Sequence, residues 1–284
     1  MRYAFIGAHK GQYAVRTMCR VLAVSRSGYY AWENRKTSQR EQTNHALLQK
    51  IKRVYRESDK SYGSPRIYRQ LREEGEKYNR KRIVRLMRKH HIVAKKAPRR
   101  YPVTTKQRKG TPMAPNLLKQ DFTAQRPNQK WVTDITYIDT AEGWLYLSVI
   151  LDLYSRRIVG WAMSDRMDVH LVSQALKMAF RSRRPNKGLI HHSDRGSQYT
   201  SKVYQNYLHE YDCLVSMSFS GNCYDNAVAE SFFATLKTEC ADSQFSSRDQ
   251  ARREIFHYIE AWYNRKRLHS SLGYMSPMMF ESVH

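Results

Sequence analysis

WVTDITYI, residues 131–138, is followed by WLYLSVILD at 144–152 and RIVGWAM at 157–163. All three runs are rich in β-branched and aromatic residues, and only Ala141-Glu142-Gly143 and Ser155-Arg156 mark the breaks between them. Strands joined this closely pair as an antiparallel meander. Beyond the meander, apolar spacing predicts a helix over 169–181, a buried strand over 188–192, a helix over 201–209 and a short strand over 214–217. A further helix follows within GNCYDNAVAESFFATLK (221–237), with Asp225 or Asn226 available as its cap and Ala, Val, Phe and Leu as its buried stripe.

Three strands, then helix, strand, helix, strand and helix, is the order of the ribonuclease H arrangement. The expected class is therefore α/β, a ribonuclease H-like core with a mixed five-stranded sheet flanked by helices. In that arrangement a metal site lies at the carboxyl ends of strands one and four. Asp134 sits on strand one, Asp194 directly follows strand four, and Glu230 lies on the late helix, thirty-five residues (195–229) beyond Asp194. Two aspartates and a glutamate arriving from two strands and a helix can hold a pair of divalent ions, and carboxylates suit Mg²⁺ or Mn²⁺. Lys237 is seven residues past Glu230, about two helical turns, so it shares a face with Glu230 and Ala234 and is placed to meet a phosphate. His191 and His192, at the end of a buried strand, read as structural residues, one packed and one hydrogen-bonded.

Charge divides the chain unevenly. The net charge is +25, and residues 1–120 hold 31 Lys and Arg against 7 Asp and Glu, while residues 121–284 hold 19 against 18. A basic half joined to a neutral half implies a polyanion grip joined to something else, and double-stranded DNA is the expected polyanion. No apolar run reaches the roughly 18 residues of a membrane span, and the N-terminal residues lack the pattern of a signal peptide, so the expected location is the cytoplasm. Cys19, Cys213, Cys223 and Cys240 are scattered without zinc-ligand spacing.

Five segments are expected. Residues 1–60 form a helical region in which 12–34 make a helix-turn-helix or an ordinary helical hairpin, with Val15, Met18, Cys19 and Leu22 on one face and Ser25 as a cap. Residues 61–93 form a second helix-turn-helix-like unit. Its first helix begins at Ser64-Pro65 and stops at Gly75, and its second, capped by Asn79, buries Ile83, Leu86 and Met87. That second helix exposes Arg80, Lys81, Arg82, Arg85, Arg88 and Lys89, whose mutual repulsion DNA phosphates would relieve. Residues 94–127, with five of the chain's eight prolines, form a basic linker. The catalytic core spans 128–240. A C-terminal extension, 241–284, has a helix over 252–266 that buries Ile255, Ile259 and Trp262, followed by a second basic cluster of Arg265, Lys266, Arg267 and His269 expected to hold DNA.

WVTDITYI, HHSDRGSQYTS (191–201) and NCYDNAVAESFFATLKTE (222–239), together with YGSPRIYRQL (62–71) and WYNRKRLHSSLGYMSP (262–277), resemble the integrase-core transposases of bacterial insertion sequences. The likeness is to the second-reading-frame type related to retroviral integrases, and it covers the whole chain. It implies that Asp134, Asp194 and Glu230 are the catalytic triad, with single-strand cleavage at the element's terminal repeats and attack of the freed 3′-OH on target DNA or on the other end of the element. It further implies assembly as a homo-oligomer on DNA and cooperation with, or fusion to, an upstream-frame helix-turn-helix partner. The His and Cys ligands of the retroviral amino-terminal zinc module are missing here. Other readings are a nuclease on the same fold that cuts without joining, and a DNA-binding regulator whose second domain only dimerises.

Overall fold

A computed structural model describes residues 1–35, 38–96, 114–218 and 226–284. The chain divides into two compact units, Met1–Arg53 and Val54–His284. The first holds α1 (Arg2–His9), α2 (Val15–Val21), α3 (Arg26–Glu33) and most of α4 (Gln39–Glu57). Ile6, Met18, Cys19 and Tyr29 make its core, and Ser25 caps α3 by accepting the Gly28 N–H at 3.0 Å. The helix α1 carries no side-chain cap, so little in the sequence announces it. The start of α4 is set by a capping box: Ser38 Oγ accepts the Glu41 N–H, and Glu41 accepts the Ser38 N–H.

The second unit begins with a helix pair, α5 (Ser64–Glu73) and α6 (Arg80–Lys89), which bury Ile67, Leu71, Ile83, Leu86 and Met87. Gly63 takes the cap position of α5, one residue earlier than expected, and Pro65 lies in its first turn, where no N–H is needed. Of the expected basic linker, residues 97–113 lie outside the described residues. Then come β1 (Lys130–Ile138), β2 (Leu145–Asp152), β3 (Ile158–Ser164), α7 (Val169–Arg183), β4 (Ile190–Ser193), α8 (Lys202–Glu210), β5 (Leu214–Met217), α9 (Ala227–Glu239), α10 (Arg248–His257) and α11 (Pro277–Val283). The sheet runs β3-β2-β1-β4-β5. β1, β2 and β3 pair antiparallel, while β4 lies parallel to both β1 and β5. This is the mixed five-stranded, ribonuclease H-like sheet that the element order implied.

Alternation along the strands gives the sheet two apolar faces. Val132, Leu147, Val149 and Leu151 pack with Phe232, Leu236, Ile255 and Ile259 on one side. Trp131, Ile150 and Val159 pack with Val172, Leu176 and Ala179 on the other. Asp168 and Ser201 cap α7 and α8. No described helix is long and apolar enough to cross a membrane.

The final long helix departs from its expected form. It starts at Arg248 and passes at Tyr258–Tyr263 into a π-helical turn. The wider turn shifts the buried stripe, so Tyr258, Ile259 and Tyr263 are enclosed and Trp262 only partly so. At the end of the chain, Glu281 of α11 accepts from Arg157 at 2.7 Å and from Arg183 at 2.8 Å, tying that helix to β3 and α7.

Gly160 of β3 is where α7 comes closest. A Cβ there would lie 2.3 Å from the Ala175 carbonyl oxygen and 2.7 Å from Ala179 Cβ. Gly160→Ala is expected to lower unfolding free energy by about 3 kcal/mol, measured by denaturant unfolding. A change under about 0.5 kcal/mol would mean that this contact does not set the helix-to-sheet distance.

Candidate active site

The parallel pairing of β1 with β4 fixes the site. Lys130 pairs with Ile190, Trp131 with His191 and Val132 with His192, a constant offset of sixty. Asp134 lies two residues past the last residue of β1 paired with β4, and Asp194 directly follows the end of β4, so both carboxylates sit at the same end of this parallel pair. β4 stops at Ser193 while β1 continues to Ile138. Asp134 therefore stands where the neighbouring strand has ended and side chains from outside the sheet can approach. Its Oδ1 accepts the N–H of Ile135 at 2.8 Å. Burial first, then the charge of Asp194, and more weakly that of Glu230, push its pKa up to about 8, against the opposing Ile135 hydrogen bond.

Asp194 is set by the loop that follows it. Its Oδ1 accepts the Gly196 N–H at 2.9 Å, and a Cβ on Gly196 would stand 3.0 Å from that oxygen. Glycine at 196 lets the loop close over the carboxylate. Arg195 turns away and donates to the Ser218 carbonyl at 2.6 Å.

Glu230 is delivered by α9. Asn226, at the cap position, makes no capping bond; its Nδ2 donates instead to the Thr133 carbonyl of β1 at 3.4 Å. This docks the head of the helix one residue from Asp134. Glu230 follows one turn later at the exposed rim, where partial burial lifts its pKa. Asp225, the alternative cap, lies outside the described residues. Asp134 thus feels the charge of both other carboxylates, yet among the described residues no three His, Cys, Asp or Glu side chains converge tightly enough to enclose an ion.

Lys237 lies further along α9, its Nζ 4.1 Å from the centre of the Tyr137 ring of β1, and burial lowers its pKa. His191 and His192 are both enclosed and both hydrogen-bonded. His191 Nε2 meets Tyr204 Oη at 2.8 Å, while His192 bridges Ser216 at 2.8 Å and Ser218 at 3.1 Å. Tyr199 is 1% exposed, beneath the carboxylates, whose charges help raise its pKa after burial has done so.

The expected DNA-facing cations divide. Arg80, Lys81, Arg85, Arg88 and Lys89 are exposed on α6, opposite its apolar stripe, and Arg82 is half-buried with its guanidinium over the Tyr78 ring. Arg265 and Lys266 are exposed. Arg267 corrects the expectation: it is 5% exposed and forks onto Glu239, Nε to Oε2 and Nη2 to Oε1, both at 2.8 Å. His269 beside it is also buried, so neither stands on the open surface with Arg265 and Lys266. Tyr258 donates to the same Glu239 at 2.9 Å, and Arg66 of α5 stands 3.8 Å from it. The sequence reading missed both Glu239 and Arg66. An acid at the end of a largely apolar helix, downstream of an arginine-bearing SPR motif, was the available signal.

Comparison with known proteins agrees with this architecture. An integrase core domain model matches residues 124–223, a second integrase core model matches 211–277, and an HTH-like domain model matches 42–101. Transposase InsF for insertion sequence IS3A of Escherichia coli strain K12 is 44% identical over 285 residues, 99% of each chain. An IS600 uncharacterized 31 kDa protein of Shigella sonnei is 47% identical over 264 residues, 93% of this chain and 97% of its own. Among solved structures, the simian T-cell lymphotropic virus intasome aligns with a TM-score of 0.48 at 16% identity, over 62% of this chain and 61% of that one. The HTLV-2 integrase catalytic core with magnesium aligns at 0.42 and 14%, over 56% and 99%.

A carboxylate whose pKa is raised by folding holds its proton more tightly in the native state, so native stability falls as pH climbs from the unfolded value near 3.8 toward 8. Asp134→Asn removes that penalty. Its melting temperature should exceed that of the parent at pH 8 by several degrees and by little at pH 4.5, read from thermal unfolding without divalent ions. A pH-independent difference would show that Asp134 is not held protonated by its surroundings.

Proposed function

The chain belongs to the integrase-core transposases of insertion sequences, and from that membership we propose that Asp134, Asp194 and Glu230 are its catalytic carboxylates, acting on the phosphodiester bonds at the ends of its own element. The observation that carries the assignment is the position of Asp134 and Asp194 just past the last paired residues of parallel β1 and β4, with the helix bearing Glu230 docked on the Thr133 carbonyl. The reaction comes in two displacements at phosphorus. Water attacks first, one P–O bond forms, the bond to the 3′ oxygen breaks, and that oxygen leaves with a proton as a 3′-OH. The freed 3′-OH then attacks a phosphodiester of target DNA, and the oxygen displaced there takes the proton.

The donor set fits divalent ions. Three carboxylates offer hard oxygen ligands of the kind Mg²⁺ and Mn²⁺ prefer, and the upward shift of Asp134, caused first by burial, also carries contributions from the charges of Asp194 and Glu230, which a cation would neutralise. Asp134 is the natural shared ligand, with Asp194 and Glu230 holding one ion each. When bound, a pair of such ions activates the attacking oxygen and stabilises the departing one. Everything else is supplied by the chain. Gly196 lets the loop hold the Asp194 carboxylate in place, and Tyr199 closes the floor against water. Glu230, at the exposed rim, is the member with freedom to swing inward. Lys237 holds positive charge on the same flank of α9, suited to a phosphate next to the reacting one.

The α6 cations are proposed as the main DNA grip, because exposed like charges on one short helix are stabilised by phosphate contact. Arg265 and Lys266 add to it.

The decisive assay incubates the full chain with labelled element-end DNA and Mg²⁺ or Mn²⁺ and resolves nicked from joined products. Joining is expected, with a loss of about a thousandfold in Asp134→Asn, Asp194→Asn and Glu230→Gln, corresponding to several kcal/mol of charge stabilisation, while DNA binding persists. Nicking without joining would favour a nuclease; wild-type activity in all three variants would remove the triad. Separately, Arg85→Gln combined with Arg88→Gln should reduce the slope of log affinity against log salt by about two. An unchanged slope would place the grip elsewhere.

A further inference from the structure

On the flank of α9 next to the one carrying Glu230 lies a cavity of about 330 Å³. Successive helix residues are about 100° apart, so Ser231 and Thr235 face this cavity while Glu230 and Lys237 face the carboxylate site. Its lining brings three arginines, Arg66, Arg156 and Arg267, and the hydroxyl-bearing Ser231, Thr235 and Ser270 together with apolar residues that include Leu151, Val228 and Phe232. Two of the three guanidinium groups are already engaged. Arg267 forks onto Glu239, and Arg66 donates from Nε to the Leu268 carbonyl at 2.9 Å. Arg156 is different. Nη2, whose bond to the Phe122 carbonyl is a long 3.5 Å, is the nitrogen with capacity left for a ligand, while Nη1 is enclosed by protein atoms, out of reach from the cavity, and has no hydrogen-bond partner among the described residues. A buried guanidinium N–H without an acceptor is costly and uncommon.

The surroundings do not supply the missing acceptor. Glu239 is the carboxylate that reaches Arg66 and Arg267, and Asp152 acts on Arg156 only through its charge. His269 stays neutral: burial, then Arg267, Arg66 and Arg156, push its pKa down to about 2. Burial is also the leading cause that lowers the pKa of both Arg156 and Arg66. Arg156 itself sits in the turn between β2 and β3 with a φ of 61°, a left-handed backbone unusual for a long side chain, fixed by its N–H on the Asp152 carbonyl at 2.8 Å and by Tyr263 Oη donating to its own carbonyl at 3.1 Å.

We propose that this cavity is a phosphate-binding site separate from the carboxylate centre, with Arg156 as its principal donor and Ser231 and Thr235 completing the shell, and that the phosphate belongs to the DNA held at the neighbouring flank. A guanidinium with hydroxyl neighbours matches the oxygen geometry of a phosphate far better than it matches an apolar ligand. The proposal rests on the DNA-processing reading given above and adds to it a fixed anchor point on the strand.

The test uses the full chain carrying Asp134→Asn, so that binding is read without cleavage. Arg156→Gln, and separately Ser231→Glu, which sets a carboxylate at the exposed edge of the cavity, are added to that parent, with Arg156→Lys as the charge-keeping control. Affinity for element-end duplex is measured across a salt series, and melting temperature is measured with and without millimolar inorganic phosphate. The expected result is a five- to tenfold loss of DNA affinity in both variants, a salt slope smaller by about one, partial rescue by Arg156→Lys, and phosphate stabilisation of the parent that both variants lose. Melting temperatures in phosphate-free buffer report folding. Replacing single phosphates with methylphosphonates should reveal one position that weakens the parent but not Arg156→Gln. If phosphate stabilises the parent through Arg156 while DNA affinity is unchanged, the site takes a free phosphate and the DNA assignment falls. If neither readout depends on Arg156, the site does not exist. Because the parent already lacks a proposed catalytic carboxylate, a failure of the joining assay leaves this result intact, and a failure here leaves the triad intact.

Discussion

Burial of Asp134 beside the charge of Asp194 is the constraint on which the carboxylate site depends. An ionised carboxylate taken out of water destabilises a folded chain, and a like charge nearby adds to the cost. The architecture meets that cost in a specific way. β4 ends at Ser193, so Asp194 leaves the ladder and can turn into the loop closed by the Gly196 N–H. Asp134 stays within β1, anchored by the Ile135 N–H, and retains its proton up to about pH 8. The sheet tolerates the pair because one member is held neutral and the other lies beyond the strand end. The same arrangement makes the pair responsive to any cation that enters.

Far from this edge, a buried ion pair does complementary work. Glu239 closes α9 with Arg267 forked onto it, Tyr258 donating to it and Arg66 beside it. Removing one partner of such a pair costs about 3–5 kcal/mol, because the other charge is left buried and unpaired. The pair therefore fixes position more than it adds net stability. It lies nine residues from Glu230, about 13 Å along the helix axis. One end of α9 is thus pinned by charge and the other by Asn226 on the β1 backbone, with Glu230 between the two pins. Tyr62 strengthens the first pin by accepting the Leu268 N–H at 2.8 Å.

Much of this was legible in the chain, for reasons particular residues make plain. The three strands of the meander declared themselves because each is β-branched and the breaks between them are short, leaving few ways to connect them. Asp134 and Asp194 stood out because acids are rare on buried strands. The offset of sixty that brings them to the same end of the parallel pair was not legible, since parallel register is decided by contacts between segments and not within either one. Arg267 was misassigned for the same reason: in the run Arg265-Lys266-Arg267 the three cations look alike, and only Glu239, twenty-eight residues earlier, separates the buried one from the exposed two. The π-helical turn at Tyr258–Tyr263 leaves no mark in composition, so a regular 3.6-residue stripe pointed to Trp262 where Tyr263 is buried. By contrast, the capping box that starts α4 is legible in the chain as Ser38 followed three residues later by Glu41.

Burial sorts the positive charge of the chain into two kinds. On α6 the exposed cations Arg80, Lys81, Arg85, Arg88 and Lys89 project from a helix whose other face is apolar, so each keeps its hydration and the repulsion among them is screened by salt. Around α9 the guanidinium groups of Arg66, Arg156 and Arg267 have lost most of their water, so each needs a fixed acceptor, from the chain or from a bound anion, to stand in for the solvent. The first kind attracts a polyanion from a distance with little demand on geometry; the second is selective because its donors cannot rearrange without leaving a charge uncompensated. A protein that must first gather DNA and then hold a single bond in register needs both kinds, and this fold keeps them apart, the first on α6 and the second around α9, where Arg66 of α5 bonds to the Leu268 carbonyl and lies beside Glu239.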